Sequence, residues 1–343
     1  MYKEFYVANP PHTIQHYFKI GYNILTIDKQ GGVVMLRIDH LTKSYKPTQQ
    51  GFLKKFARKF TKQTAKGTAE SAHNLETFAV RDLTLNVESG DIFAFIGPNG
   101  AGKTTTIKSI VGIHSFDSGT ITIDGHSIVD EPLAAKQIFS YLPDNPEIYN
   151  YVSGIQYLRF VADMYGVDPR LARERMHKYA DIFELTSKLN MRCADYSHGM
   201  KQKIAIIASL LHNPRLLVLD EPFVGLDPEA TLHFKEIMHE ICQAGGAVFY
   251  STHVLEVAEK LCNKAAMIKN GRLVAQGTMS ELTHNTSLET LFMNELADDS
   301  ASIVTDDSAG LVTGESSAST RENASTDEPC DLSDAATSNT SAE

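Results

Sequence analysis

The eight residues Gly97-Pro98-Asn99-Gly100-Ala101-Gly102-Lys103-Thr104 match G-x-x-x-x-G-K-[ST], a spacing whose chemistry is the cradling of phosphate. Glycines let the backbone approach an anion closely, and the small or turn-forming Pro98, Asn99 and Ala101 do not obstruct the wrap. A helix that starts at Lys103 aims its free N–H groups and the positive end of its dipole at one spot. The competing reading is a plain glycine turn. An apolar strand at 91–96 before the motif and a helical pattern at 103–112 after it favour the phosphate loop, and the chain is expected to bind a nucleoside triphosphate.

A second group of residues supplies the means to act on that ligand. Asp220-Glu221 closes the apolar run Leu216-Leu217-Val218-Leu219, and ligands of open α/β sheets lie off the carboxyl ends of strands. Adjacent carboxylates at a buried strand end repel unless a cation or a reacting water lies between them. Asp220 is therefore assigned to Mg²⁺ together with the Thr104 hydroxyl, and Glu221 to polarising the attacking water; a solvated turn acid ahead of Pro222 is the bland alternative for Glu221. His253 follows the strand 246–250 and should reach the same edge, although a lone histidine there is ordinarily a helix-start residue. Ser197 and Gly199 open a helical pattern at 198–212, another N-terminus ready for an anion or, more simply, a serine N-cap. Asp227-Pro228 reads as an N-cap followed by an N1 proline.

The elements that must position these groups alternate along the chain. Strand patterns fall at 36–40, 76–80, 83–88, 91–96, 119–124, 139–142, 215–219, 246–250, 265–269 and 272–276, and helical ones at 103–112, 152–166, 169–187, 198–212, 229–243 and 254–262. The runs 216–219 and 247–250 are apolar throughout, as central parallel strands are. Clustered helices at 152–187 interrupt the strand–helix rhythm and mark an inserted helical subdomain. No apolar run approaches the 18 residues that would span a bilayer. Cys193, Cys242, Cys262 and Cys330 are far apart, which argues against a disulfide framework or a zinc site and fits reduced thiols in a cytoplasm.

Three stretches differ from this body. Residues 1–34 are aromatic and irregular, broken at Pro10-Pro11; Gly31-Gly32 lies where a ribosome-binding sequence ahead of Met35 would, so translation is expected to start at Met35, the alternative being a genuine floppy extension. The insertion at 46–75 is basic, and Phe52, Phe56 and Phe60 recur at i, i+4, i+8 among its lysines. Segment 50–62 reads either as a helix on the cytoplasmic membrane surface or as a short helix docking its phenylalanines on the domain's own core. From 297 to 343 there are eleven acidic residues and one basic residue, Arg321, so the tail carries the whole net charge of −10 and the preceding residues are neutral overall. The tail, set at 293–343, is expected to be disordered.

With these motifs in hand, the chain resembles the nucleotide-binding subunit of an ATP-binding cassette (ABC) transporter over roughly residues 35–292. Residues 97–105, Thr105 included, match the family's phosphate loop; Tyr45 matches the aromatic that stacks on adenine, though it also suits a strand end. Tyr196-Ser197-His198-Gly199-Met200 resembles the signature, usually Leu-Ser-Gly-Gly-Gln. Gly225-Leu226-Asp227 matches the loop that crosses between subunits, and His253 the switch histidine that contacts the γ-phosphate. Asp144, in Tyr141-Leu142-Pro143-Asp144, stands where the family places a glutamine; it would approach Mg²⁺ through water or serve only to link the site to a membrane partner. A Ser-x-Gly-Met signature with an acid at that position is similar to bacterial ABC-2-type or Ecs-type exporters.

The resemblance implies an α/β P-loop NTPase cassette with a RecA-like core, an antiparallel β subdomain and an inserted α-helical subdomain at about 144–212. It implies ATP and Mg²⁺ as ligands and ATP hydrolysis as the activity. A second nucleotide-binding domain, identical or not, and a separate transmembrane permease are the implied partners, with the chain peripheral on the inner face of the cell membrane. Nucleic acid is not an expected partner. Two other classes stay open: a cytosolic ABC-type ATPase acting on ribosomes or nucleic acid, against which a single cassette per chain speaks, and an ATP-gated, non-hydrolysing binding or immunity module, to which His198, Met200 and Asp144 lend slight support.

Overall fold

Strands that are apolar on both faces need a sheet covered on both sides, and the computed structural model gives them one. It describes residues 17–20, 23–26, 33–45, 77–284 and 286–301. The chain divides into two units, Met1–Asp299 and Ser300–Glu343, and both sheets described below belong to the first.

The leading segment, expected to be irregular, contains an antiparallel pair, β1 (Tyr17–Ile20) and β2 (Asn23–Thr26). The long strands β3 (Val34–Tyr45) and β4 (Thr77–Glu88) follow, then β5 (Ile92–Ile96) and α1 (Lys103–Ile110). Next come β6 (Ser118–Ile123), β7 (His126–Ser127), α2 (Pro132–Ile138) and β8 (Phe139–Leu142). Helices α3 (Gly154–Met164), α4 (Pro169–Ile182) and α5 (His198–Leu210) form the helical insertion. The chain returns through β9 (Leu216–Asp220), α6 (Pro228–Gln243), β10 (Ala247–Thr252) and α7 (Leu255–Leu261). It continues with β11 (Lys264–Lys269), β12 (Arg272–Thr278), α8 (Met279–Leu282) and α9 (Leu288–Ala301).

The main sheet has the order β12-β11-β5-β10-β9-β8, parallel except for β12, which runs antiparallel to β11. Its registers decide where the site must lie. Ile96 pairs with Thr252, Ser251 with Asp220, and Leu219 with Leu142, so β5, β10, β9 and β8 all end at one edge. The second sheet, β4-β3-β6-β7, is antiparallel.

Alternate side chains of each central strand enter different cores, as the two-residue period of a strand requires. Phe93 and Phe95 face the antiparallel sheet, together with Leu36, Ile38, Leu83 and Phe249. Ile92, Ala94 and Ile96 face the core that includes residues of α5, α6 and the helical insertion. Within that insertion Ser153 closes a capping box with Gln156, and Asp168 caps α4 ahead of Pro169, so each helix start satisfies its own free N–H groups.

The structure departs from the sequence expectations in three further places. The strands 76–80 and 83–88 are one strand, because Asp82 takes a φ of 52° and the register shifts there, letting the exposed Arg81-Asp82 pass as an irregularity instead of a turn. Strand β7 and helix α2 were not anticipated; both are too short to show a period. The tail does not begin at 293: α9 runs to Ala301, anchored by fully buried Leu288 and by Leu291 and Phe292, an i, i+3, i+4 stripe packed on the core. The basic insertion, its segment 50–62, Cys330 and the tail after residue 301 lie outside the described residues. Cys193, Cys242 and Cys262 are free and buried.

Candidate nucleotide site

Close packing dictates the glycines of the phosphate loop. A Cβ on Gly97 would sit 2.5 Å from the Ile268 carbonyl oxygen, and Gly102 holds a φ of 111° with the Ala79 carbonyl against the position a Cβ would take. Only glycine satisfies both demands. The loop is therefore braced from two sides, by β11 of the main sheet and by β4 of the antiparallel sheet.

Lys103 opens α1 and turns back over the loop, donating from Nζ to the Gly97 carbonyl at 2.7 Å and to the Pro98 carbonyl at 3.3 Å. It is buried, and burial pulls its ammonium below the usual lysine range while Glu221 and Asp220 pull it back up. Thr106, one turn on, donates to the Gly102 carbonyl at 2.9 Å and fixes the first turn of the helix. Thr104 is exposed at that helix start.

The acid pair sits where the strand register requires. Asp220 is 2% exposed, and the Ser251 hydroxyl donates to its Oδ1 while its Oδ2 is buried with no hydrogen-bond partner among the described residues. A buried acceptor left without a donor is costly, and it suits a site meant for a cation. No group of three or more His, Cys, Asp or Glu side chains able to hold a metal occurs among the described residues. The donors present, one carboxylate oxygen and the Thr104 hydroxyl beside a phosphate cradle, fit Mg²⁺, which takes few protein ligands and shares phosphate oxygens.

Glu221 has a φ of 49°, in the left-handed region that a glutamate adopts only under constraint. Its N–H donates to the Ser251 carbonyl at 3.3 Å, and its Oε1 lies 2.8 Å from His253 Nδ1. Ser251 thus touches both acids, through its hydroxyl and through its carbonyl. Its role escaped the sequence reading, although the pairing of 247–250 with 216–219 as neighbouring strands would have set it opposite Asp220.

An open cleft of about 260 Å³ is lined by Pro98, Asn99, Gly100, Gly102, Lys103, Thr104, Thr105, Asp144, Asp220, Glu221 and Ala79. These residues come from four separate stretches of the chain. Asp144 is exposed at the end of β8, its Oδ1 accepting from the Asn145 N–H at 2.9 Å. Gly97 and Ala101 complete the loop behind the lining, and His253 reaches the cleft through Glu221. Tyr45 does not line it. It ends β3, paired with Thr77, half exposed, edge-on to His114 at 6.3 Å and with Lys43 Nζ 5.4 Å from its ring centre.

Ser197, Gly199 and Asp227 also stand outside the cleft, gathered in a group of their own. Ser197 caps α5 by accepting from the Met200 N–H. Asp227 caps α6, accepting from the Ala230 N–H at 2.8 Å, and pairs with Lys203 Nζ at 2.6 Å; that ammonium holds the carboxyl below the usual range. A Cβ on Gly199 would lie 2.9 Å from the Gly225 carbonyl, and the His198 ring fills the space beside Gly225.

A phosphate loop braced by two sheets, with an acid pair at the end of the central parallel strand β9, defines a nucleotide-binding α/β cassette. The family model described as ABC transporter matches residues 80–224. Over 217 residues the chain is 33% identical to the ABC-type transporter ATP-binding protein EcsA of Bacillus subtilis (strain 168), covering 63% of this chain and 88% of EcsA. It is 34% identical over 212 residues to the linearmycin resistance ATP-binding protein LnrL of the same organism, covering 62% of this chain and 68% of LnrL. A solved ATP-binding subunit of an ABC transporter superposes with a TM-score of 0.65 at 31% identity, covering 76% of this chain and 98% of that one. A dimeric ATP-binding cassette in a post-hydrolysis state with ADP and phosphate shares the fold, with a TM-score of 0.59 at 18% identity over 71% of this chain and 99% of that one.

The chain belongs to the ABC transporter ATP-binding protein family. Among the described residues no helix is long and apolar enough to cross a membrane.

Proposed function

We propose that this chain is an ATP-hydrolysing subunit that works in pairs, each of two composite sites taking the phosphate loop, Asp220, Glu221 and His253 from one subunit and the segment 197–199 from the other. The observation that carries this reading is the separation within one chain: the cleft gathers Lys103, Thr104, Asp220 and Glu221, whereas Ser197, Gly199 and Asp227 line no part of it. Two incomplete halves in one chain become whole when two chains meet.

Each residue then has a task. Lys103 and the loop N–H groups hold and neutralise the β- and γ-phosphates. Asp220 Oδ2 and the Thr104 hydroxyl hold Mg²⁺, which supplies charge stabilisation at the transferring phosphoryl group. Glu221 orients the attacking water and accepts its proton, and His253, hydrogen-bonded to Glu221, keeps that carboxylate in place and faces the γ-phosphate. Asp144 borders the same cleft at the start of the helical insertion, a position suited to relaying the nucleotide state to a membrane permease. Closing and opening of the pair drives that separate permease. The relative named for linearmycin resistance supports export.

Glu221→Gln tests the reading. With MgATP this variant is expected to form stable pairs in sedimentation while turnover falls at least about a hundredfold. Turnover near that of the unaltered protein, or lone protomers at saturating MgATP, would overturn it.

A further inference from the structure

Glu221 leaves β9 in a left-handed conformation, and something must hold it there. Ser251, whose carbonyl accepts from the Glu221 N–H, and His253, beside its carboxylate, approach from the end of β10. On the other side lies Gln202, in the second turn of α5, which is fully buried. Its Nε2 donates at 3.2 Å to the carbonyl oxygen of Pro222, the residue that follows Glu221. Pro222 itself has no N–H to anchor the turn. Gln202 Oε1 is buried with no partner among the described residues. An amide that leaves its own acceptor unsatisfied to give a hydrogen bond to one carbonyl is a poor packing choice, and its donor is the part the site uses.

We propose that Gln202 is a positioning residue for Glu221: by holding the Pro222 carbonyl it fixes the backbone from which the Glu221 carboxylate is aimed at the cleft and at His253. This rests on the role assigned above to Glu221. The next residue, Lys203, grips the far end of the same loop through Asp227 at 2.6 Å, so residues 221–227 are held at both ends by adjacent positions of one helix. The first turn of that helix carries Ser197 and Gly199. Placement of the water-polarising acid in one composite site and presentation of the signature segment to the other therefore depend on the same helix start.

Gln202→Met keeps volume and removes the donor, and Gln202→Glu makes the donor conditional on protonation. In the full chain, Gln202→Met is expected to lower kcat about tenfold, which is ~1.4 kcal/mol at the transition state, with the MgATP dissociation constant changed less than twofold. Gln202→Glu is expected to regain turnover as the pH falls below about 7, where a buried carboxyl is protonated and donates again, against a flat ratio for Gln202→Met. A second measurement does not use turnover: ¹⁵N shifts of the His253 ring should report an Nδ1–H tautomer in the unaltered protein and a mixture in Gln202→Met. A kcat within twofold of the unaltered protein, or kcat and nucleotide affinity falling together, would overturn the proposal. If Glu221→Gln itself retains turnover, the reading of Glu221 has failed, and the His253 nitrogen shifts decide alone; unchanged shifts in Gln202→Met then overturn the positioning role.

Discussion

Ser251 stands opposite Asp220 across the β9–β10 ladder, and its hydroxyl takes Oδ1 of that carboxylate, leaving Oδ2 as the free oxygen. The pairing orients the acid before any cation arrives. Ser251→Ala removes that restraint without touching the phosphate loop. The Mg²⁺ concentration needed for half-maximal nucleotide binding should rise about ten- to a hundredfold, the value of one buried hydrogen bond to a charged group, and titration of Mg²⁺ at fixed ATP measures it.

Lys103 is held charged in a buried place, where desolvation depresses its pKa. Its charge is therefore a cost to the nucleotide-free fold and a gain only with phosphate present. Lys103→Met should leave the melting temperature of the free protein unchanged or higher while weakening ATP binding by about one to two orders of magnitude. Calorimetry with and without nucleotide separates the two effects.

Gly102 combines a φ of 111° with the Ala79 carbonyl at the place of a Cβ. Gly102→Ala should destabilise the fold by about 2 kcal/mol or more and abolish nucleotide binding, because the loop must shift away from β4. Urea unfolding and nucleotide titration check this.

His212 carries the pH dependence most open to test. Its ring stacks on Tyr165 at 3.8 Å between centroids and 7° between planes, and its Nε2 lies 3.2 Å from the Phe139 carbonyl, which fixes Nε2 as the donor and leaves Nδ1 buried without a partner. Burial pulls its pKa down to about 4, assisted by Arg175 and opposed by the Phe139 hydrogen bond. The unfolded chain, titrating near 6.5, then binds the extra proton first, so stability is full above about pH 6.5 and is lost as pH falls toward 4, by about 3 kcal/mol in all. His212→Phe should flatten the difference in unfolding free energy between pH 7 and pH 4.5; an undiminished difference would assign the acid sensitivity to other groups.

The parts of this site that were legible in the sequence are those written in contiguous residues. The phosphate loop, Asp220-Glu221 and His253 follow strand ends, and the end of a parallel strand is a place that periodicity and motif locate together. The expectations that missed concern partners far apart in the chain. Gln202 reads as one more polar residue between Lys201 and Lys203 until the fold brings Pro222 to it, and Ala79 becomes part of the cleft only because β4 leans on Gly102. Helix α9 was obscured for a different reason: its apolar stripe, Leu288, Leu291 and Phe292, lies just ahead of the acid-rich stretch whose composition alone set the tail.

Tyr45 and Thr77 are ladder partners, and the basic stretch 46–76 leaves and re-enters the sheet between them. The antiparallel pairing of β3 with β4 is complete at Tyr45 and Thr77. Exchanging the stretch between them for a four-residue turn would recover roughly 2 kcal/mol of closure entropy and leave the nucleotide cleft standing. A graft of foreign sequence at the same two stem residues would hang a passenger from the strand whose Ala79 props the engine's fuel port.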